Sequence, residues 1–362
     1  MESVECFLLR GCMLNRIVQE DLKYITNANL PWNYFEGRVV LISGANGFLP
    51  AYIVETILFL NQTKFKNKAK VIGVVRNKEK AALRFAEYMD RDDFLIIDKD
   101  ICKFVTIDGQ IDYIIHAASQ ASPKYYSVDP VGTLLPNVLG TYNLLELARK
   151  KKVTGFLFFS SGEVYGEIKG GAAIKESDSG IVPSLEVRSC YAEGKRMGEV
   201  MCISWFHQHG VPIKIVRPFH TYGPGMALDD GRVFADFVSD VVNNRDIIMK
   251  SDGSAIRAFC YLADATLGFL TVLLKGVSGE AYNVGNDVGK ISILDLANLL
   301  VDLFPHKKIK VVKNVRNNSS QYIASKVTSN VPDITKIYDL QWNPVYSVKD
   351  GFVRTVSSFC SY

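Results

Sequence analysis

Six short apolar runs, each separated from the next by connecting chain that is in most cases helical in pattern, constrain this protein more than any other feature. They are RVVLIS (38–43), KVIGVV (70–75), FLIID (94–98), DYIIHAA (112–118), GFLFFSS (155–161) and PIKIVRP (212–218). Helical patterning fills much of the space between them: an apolar stretch through Phe59, then AALRFAEYM (81–89), GTYNLLELARK (140–150) and YAEGKRMGEVMCISWFHQ (191–208). Strands that alternate with helices pair in parallel, because each crossover returns the chain to the same end of the sheet. Near-continuous apolar strands agree, since a sheet covered on both faces has no wet side. The expectation is an α/β protein built on a doubly wound parallel sheet over 38–218.

The chain has 362 residues, and domains usually run to about 100–200, so more than the sheet must be accommodated. Residues 1–37 read as an N-terminal extension, with a helix over about 17–26 presenting Ile17, Leu22 and Ile25 on one face. After Pro218 the alternation decays. A Gly- and Asp-rich loop (220–232) precedes a segment AFCYL (258–262), helices near 233–243, 264–275 and 292–304, and a closing helix and turn over 332–344. Residues 219–362 are expected to form a smaller α/β lobe that covers the ligand face of the sheet.

A net charge of +4 is too small to announce a nucleic-acid binder. Glu2 and Glu5 precede the first apolar run and Arg10 interrupts it, which argues against a secretory leader. No apolar stretch reaches the roughly 18–20 residues of a membrane span. Seven cysteines without a C-x-x-C pair suit reduced thiols in a cytoplasm. His207 and His209 have no Cys or carboxylate at ligand spacing, so no metal site is expected.

The first run leads into Gly44-Ala45-Asn46-Gly47-Phe48-Leu49-Pro50 and a helix. At such a turn the glycines let backbone approach a pyrophosphate, and the helix N-terminus supplies unpaired N–H groups. Gly44, Asn46, Gly47, Phe48 and Leu49 are therefore candidate dinucleotide contacts. Pro50 stands where a third glycine is usual, and proline is tolerated in a first helical turn. The second run ends at Arg76, where an acidic residue would receive the ribose hydroxyls of NAD; an arginine there suits a 2′-phosphate and raises NADP as the alternative. Asp100 and Ile101 follow the third run as candidate adenine contacts. Ala117 and Ala118 end the fourth, where small side chains let a cofactor lie close.

Tyr191 and Lys195 stand four residues apart, on one face of a helix that follows the fifth run. A lysine ammonium near a phenol favours the phenolate. Such a tyrosine can take a proton from a sugar hydroxyl while hydride leaves the same carbon. Ser161, at the end of the fifth run, can hydrogen-bond the reacting hydroxyl. Glu163, two residues on, can abstract a carbon-bound proton beside a carbonyl; its alternative role is a loop anchor bonded to backbone N–H groups. His116 ends a buried run and reads as a packed core residue.

Over residues 38 to 355 the chain resembles the extended short-chain dehydrogenase/reductases of the NAD-dependent epimerase/dehydratase family, whose fold is a Rossmann-type sheet with a smaller C-terminal substrate lobe. The resemblance is carried by HAASQASPKYYSVDPVGTLLPNVLGTYNLLELAR (116–149), SSGEVYG (160–166), RSCYAEGKRMGE (188–199), DDGRV (229–233) and IRAFCYLAD (256–264). Within the family these motifs are most like those of the UDP-glucuronate decarboxylases. The likeness implies Ser161, Tyr191 and Lys195 as a catalytic trio, Glu163 as the acid/base near sugar C5, and Pro218 as a further cofactor contact. It implies Ser119, His220, Arg232 and Arg257 as contacts to a nucleotide-diphosphate sugar, and a homodimer. Three departures stand out. Gly162 occupies a position where dehydratases donate a proton, no arginine precedes Pro332-Asp333 as it does in the decarboxylases, and His220 replaces a common asparagine. The expected activity is oxidation of a nucleotide sugar at C4, followed by chemistry at C5 or return of the hydride. A 4-epimerase or 4-ketoreductase is the alternative enzyme, and a catalytically silent nucleotide-binding regulator the alternative of another class.

Overall fold

The computed structural model describes residues 15–103, 106–168, 172–313 and 329–360. Its strands β1 (Val39–Ser43), β2 (Lys70–Val75), β3 (Phe94–Asp98), β4 (Tyr113–His116), β5 (Gly155–Phe159) and β6 (Ile213–Pro218) fall on the six apolar runs. Beyond them lie β7 (His220–Tyr222), β8 (Ile247–Met249), β9 (Ile256–Tyr261), β10 (Glu280–Val284), β11 (Lys290–Ser292), β12 (Val311–Lys313) and β13 (Ser329–Asn330). The main sheet has seven strands in the order β10-β6-β5-β4-β1-β2-β3, all pairs parallel. The expected six-strand sheet thus gains β10, from chain assigned to the smaller lobe. EAYNV is short and half polar, so only its pairing with β6 marks it as a strand. The strand order departs in opposite directions from the β1/β4 gap, which opens a crevice at the carboxyl ends, where such sheets hold ligands.

The helices are α1 (Arg16–Asn27), α2 (Phe48–Thr63), α3 (Lys78–Arg84), α4 (Pro130–Leu135), α5 (Thr141–Lys151), α6 (Ser189–His209), α7 (Val233–Val242), α8 (Leu262–Lys275), α9 (Ile293–Leu303), α10 (Thr335–Tyr338) and α11 (Val348–Phe359). α3 starts earlier than the pattern suggested because the Asn77 side chain caps it, accepting from the Lys80 N–H at 2.8 Å. A π-helical turn over Pro136–Gly140 joins α4 to α5, so helix begins ten residues before the expected start. α6 lies close to the sheet: a Cβ on Gly198 would stand 2.4 Å from the Phe158 ring. That close approach brings the same helix's Lys195 to the end of β5.

The described part of the extension, residues 15–37, packs into the core. Leu22, Ile25 and Phe35 are fully buried. Asp21 on α1, equally buried, accepts from Tyr52 at 3.0 Å, Tyr261 at 2.8 Å and Arg354 at 2.7 Å. One carboxylate thereby joins α1, α2, β9 and α11. A second, smaller sheet is organised on β9, which pairs with β11 antiparallel and with β13 and β7 in parallel. Among the described residues no helix is long and apolar enough to cross a membrane. No described cluster of His, Cys, Asp or Glu is placed to hold a metal.

Candidate active site

The turn after β1 forms one wall of the cleft. Gly44 has φ +67, and a Cβ there would meet the Ala118 Cα at 2.7 Å. Only glycine satisfies both the left-handed backbone and that approach. Gly47 opens α2 with no side-chain cap, which leaves the N–H groups of the first turn available to an anion. Asn46, Phe48 and Leu49 are half-buried around this cradle. The Ala117 and Ala118 N–H groups both donate to the Ser43 hydroxyl at 3.2 Å, which holds the ends of β1 and β4 together.

The cleft brings together Gly47, Phe48, Leu49, Ala117, Ser119, Ser161, Glu163, Tyr191, Lys195, Pro218, His220 and Arg232. Seven sequence candidates are not among these lining residues: Gly44, Asn46 and Ala118 lie beside them in the turn and at the end of β4, and four others lie elsewhere. Arg76 is exposed past the end of β2. The Asp100 carboxylate accepts from the Cys102 N–H of its own turn at 2.9 Å. Ile101 is buried against Gly140. Arg257 lies on β9, opposite Asn330.

At the chemical centre, Ser161 follows β5 and caps the short turn Gly162–Tyr165, accepting from the Glu163 N–H at 3.2 Å. Its hydroxyl also hydrogen-bonds the Tyr191 phenol. The Tyr126 ring stacks on Tyr191 at 5.2 Å and 15°. The Glu163 carboxylate pairs with Arg188 at 3.4 Å, an ion pair in place of the backbone anchor expected as its alternative.

Electrostatics differ from the expectation for the tyrosine–lysine pair. Lys195 is completely buried and donates to the Phe159 carbonyl at 2.6 Å. Burial pushes its ammonium down to about 7, a fall that Cys202 and Glu199 oppose. Its Nζ lies 5.8 Å from the centre of the Tyr191 ring. Burial also dominates at the phenol, pushing it up to about 12; the Ser161 hydrogen bond and Arg232 oppose that rise, and Glu163 reinforces it. Burial of the phenol is thus the largest influence on it, and Ser161 and Arg232, rather than Lys195, are the groups that pull it down.

Residues the sequence reading passed over complete the site. Glu199, one turn beyond Lys195, accepts from Ser160 at 2.5 Å and takes a two-pronged bond from Arg217 at 2.8 and 2.7 Å. Arg217 also donates to the Tyr165 hydroxyl at 2.9 Å, which donates to Asn283 on β10 at 2.5 Å. This chain ties the Ser160–Gly166 loop to α6 and to the seventh strand. Spacing exposes Glu199 as the next member of the Tyr191–Lys195 helix face; no sequence signal links it to Arg217. His116 is buried, within 2.8 Å of Ser43 and 3.0 Å of Thr141, and burial pushes its imidazole down to about 3, as befits a packed core residue.

The sequence profile of the NAD dependent epimerase/dehydratase family matches residues 40–285. The chain belongs to that family. UDP-glucuronic acid decarboxylase 5 of Arabidopsis thaliana is 33% identical to this family member over 314 residues, covering 86% of each chain. UDP-glucuronic acid decarboxylase 1 of Danio rerio is 29% identical over 322 residues, 88% of this chain and 72% of the relative. The fold of this epimerase/dehydratase superposes on the epimerase Mth375 of Methanothermobacter thermautotrophicus with TM-score 0.77 at 20% identity, over 96% of both chains. A UDP-glucuronic acid 4-epimerase of Bacillus cereus superposes with TM-score 0.75 at 24% identity, over 89% of this chain and 98% of the other.

Proposed function

We propose that the protein oxidises a nucleotide-diphosphate sugar at C4 and then acts at C5 or returns the hydride to C4. The observation that carries this reading is the convergence of Ser161, Tyr191 and Lys195 beside the glycine turn in one cleft. Family membership and decarboxylase relatives along most of the chain support it.

The cleft fits NAD. Gly44 and Ala118 leave no room for a Cβ where a pyrophosphate would approach, and the uncapped start of α2 offers N–H donors. Gly44, Gly47, Phe48, Leu49 and Ala117 would hold the dinucleotide, with Lys195 and Pro218 at its far end. Bound there, NAD supplies a hydride acceptor for the carbon that is oxidised.

Tyr191 takes the proton of the 4-hydroxyl, and Ser161 bridges the two oxygens and keeps them aligned. The form of Tyr191 that accepts is the phenolate, which the Ser161 hydrogen bond and Arg232 favour against burial, while Lys195, one helical turn away, holds the far end of the dinucleotide. Glu163, at the same rim, takes the C5 proton once C4 is a carbonyl. Its pairing with Arg188 at 3.4 Å favours the second reading, a 4-epimerase or 4-ketoreductase, in which Glu163 serves structure. α4 and α6 expose Val131, Leu134, Met197, Val200 and Ile203, an apolar surface suited to a homodimer. The five described cysteines are unpaired, in keeping with a cytoplasmic enzyme.

The test is absorbance of reduced cofactor after nucleotide sugars are added to the purified protein. Wild type should show it and Tyr191→Phe should not, while both retain cofactor. Cofactor binding without absorbance in wild type would favour the silent regulator.

A further inference from the structure

Arg188 lies three residues before Tyr191, where the chain enters α6, and stands outside the catalytic trio. Its guanidinium meets two groups that face the phenol. It pairs with the Glu163 carboxylate at 3.4 Å and stands 5.8 Å from the centre of the Tyr126 ring. Tyr126 in turn is stacked on Tyr191, with ring centres 5.2 Å apart and planes 15° from parallel. One cation therefore joins the turn after β5, the loop after β4 and the start of α6.

Local structure holds each member in place. The Ser189 N–H donates to the Glu186 carbonyl at 2.9 Å, and the Ser189 hydroxyl to the Pro183 carbonyl at 2.5 Å, which fixes the turn that carries Arg188. Tyr126 is buried, and its hydroxyl donates to the Ala121 carbonyl at 3.0 Å. That hydroxyl is committed to its own loop, so Tyr126 meets Tyr191 through its ring.

Stability is not the main consequence of the ion pair. Glu163 keeps 39% of its side-chain exposure, and pairs this open add little. The carboxylate reaches further into the buried site, because charge acts more strongly where water is excluded. Tyr191 is buried there, and of the charged groups that act on it Glu163 resists loss of the proton while Arg232 assists it. The other ionisable groups around the phenol are Tyr126, whose own hydroxyl burial pushes up, and Lys195, 5.8 Å from the ring centre. Arg188 acts through its two neighbours, by the charge of Glu163 and the stack of Tyr126.

We infer that Arg188 is a positioning residue for the first proton transfer: its guanidinium offsets the Glu163 carboxylate beside Tyr191 and anchors the Tyr126 ring on which the phenol is stacked. The inference rests on the C4-oxidation reading, and it holds whether Glu163 later acts at C5 or serves structure. Without the arginine an uncompensated carboxylate faces the phenol, and the base forms only at higher pH.

The experiment places trifluorotyrosine, whose phenol ionises at lower pH than that of tyrosine, at position 191 of the full chain saturated with NAD, and follows its ionisation by fluorine NMR. Arg188→Met should raise the midpoint by roughly half a pH unit or more, the scale of one charge acting across a partly wet cleft. Arg188→Gln, a milder change, should move it the same way, and Arg188→Lys, which keeps the charge, should stay near wild type. Glu163→Gln should lower the midpoint, and adding Arg188→Met to it should have much less effect than in wild type. An unmoved midpoint in Arg188→Met and Arg188→Gln, or an equal rise with and without Glu163, would overturn the inference. With UDP-glucose and UDP-glucuronic acid as probes, the pH profile of reduced-cofactor formation by the unlabelled variants should follow the same order. The expected midpoints with no reduced cofactor from wild type would instead count against C4 oxidation and leave the hold of Arg188 on the phenol standing.

Discussion

The Lys195 ammonium donates to the Phe159 carbonyl at 2.6 Å, across the close contact between α6 and the end of β5. The bond fixes a buried charge beside the Tyr191 ring while leaving the phenol to Ser161. The catalytic trio is thus held by two separate links to β5, one to its last backbone carbonyl and one to the serine that follows.

Lys195 carries a stability cost that depends on pH. Its folded value is pushed down to about 7 from 10.5, so between those limits the unfolded chain holds a proton that the folded chain has lost. Stability attributable to this group rises with pH across that window, and the full penalty applies below it. Urea unfolding of wild type and Lys195→Met should show the variant relatively most stable below pH 7. Its advantage should shrink towards pH 10.5, and a pH-independent difference would refute the assignment.

Gly44→Ala should damage cofactor binding. The substitution places a Cβ 2.7 Å from the Ala118 backbone in a left-handed conformation, a strain of about 1–3 kcal/mol before any ligand is considered. Titration of NAD against intrinsic fluorescence should show at least a tenfold weaker complex, while circular dichroism retains the α/β signature.

Arg354→Leu should destabilise the protein by about 3 kcal/mol, because it leaves a buried carboxylate without its cation. Asp21 is inaccessible to solvent and keeps only the phenols of Tyr52 and Tyr261. Burial already pushes Asp21 up, so the folded variant holds a proton that the unfolded chain releases. The loss should be larger above neutral pH than in mild acid, as read from denaturant midpoints.

Glu163→Gln should leave C4 oxidation intact and stop proton exchange at C5. Deuterium uptake from solvent into C5, followed by mass spectrometry, reads this directly. A variant that still exchanges at the wild-type rate would make Glu163 a structural partner of Arg188.

Much of the site was legible because its members lie close in sequence to sheet ends. The glycine turn follows β1, Ala117 and Ser119 follow β4, Ser161 follows β5, and Tyr191 and Lys195 lie on the crossover helix between β5 and β6. Where strand order makes those ends converge, local motifs translate into one cleft. Asp100 and Ile101 obey the same positional rule, yet one bonds its own turn and the other packs under Gly140. Position along a strand does not dictate which way a side chain faces. Asn330, on the cleft wall, was invisible, since its place depends on a two-residue strand meeting β9.

Alternation and apolar patterning by themselves determined the parallel sheet, its first six strands and the helix that carries Tyr191 and Lys195, because those signals are local and periodic. Tertiary structure alone decided that residues 280–284 complete the sheet, that Asp21 ties α1 into the core, and that burial dominates at the Tyr191 phenol. Each of these depends on groups distant in sequence and on how far water is excluded between them, which no local pattern records.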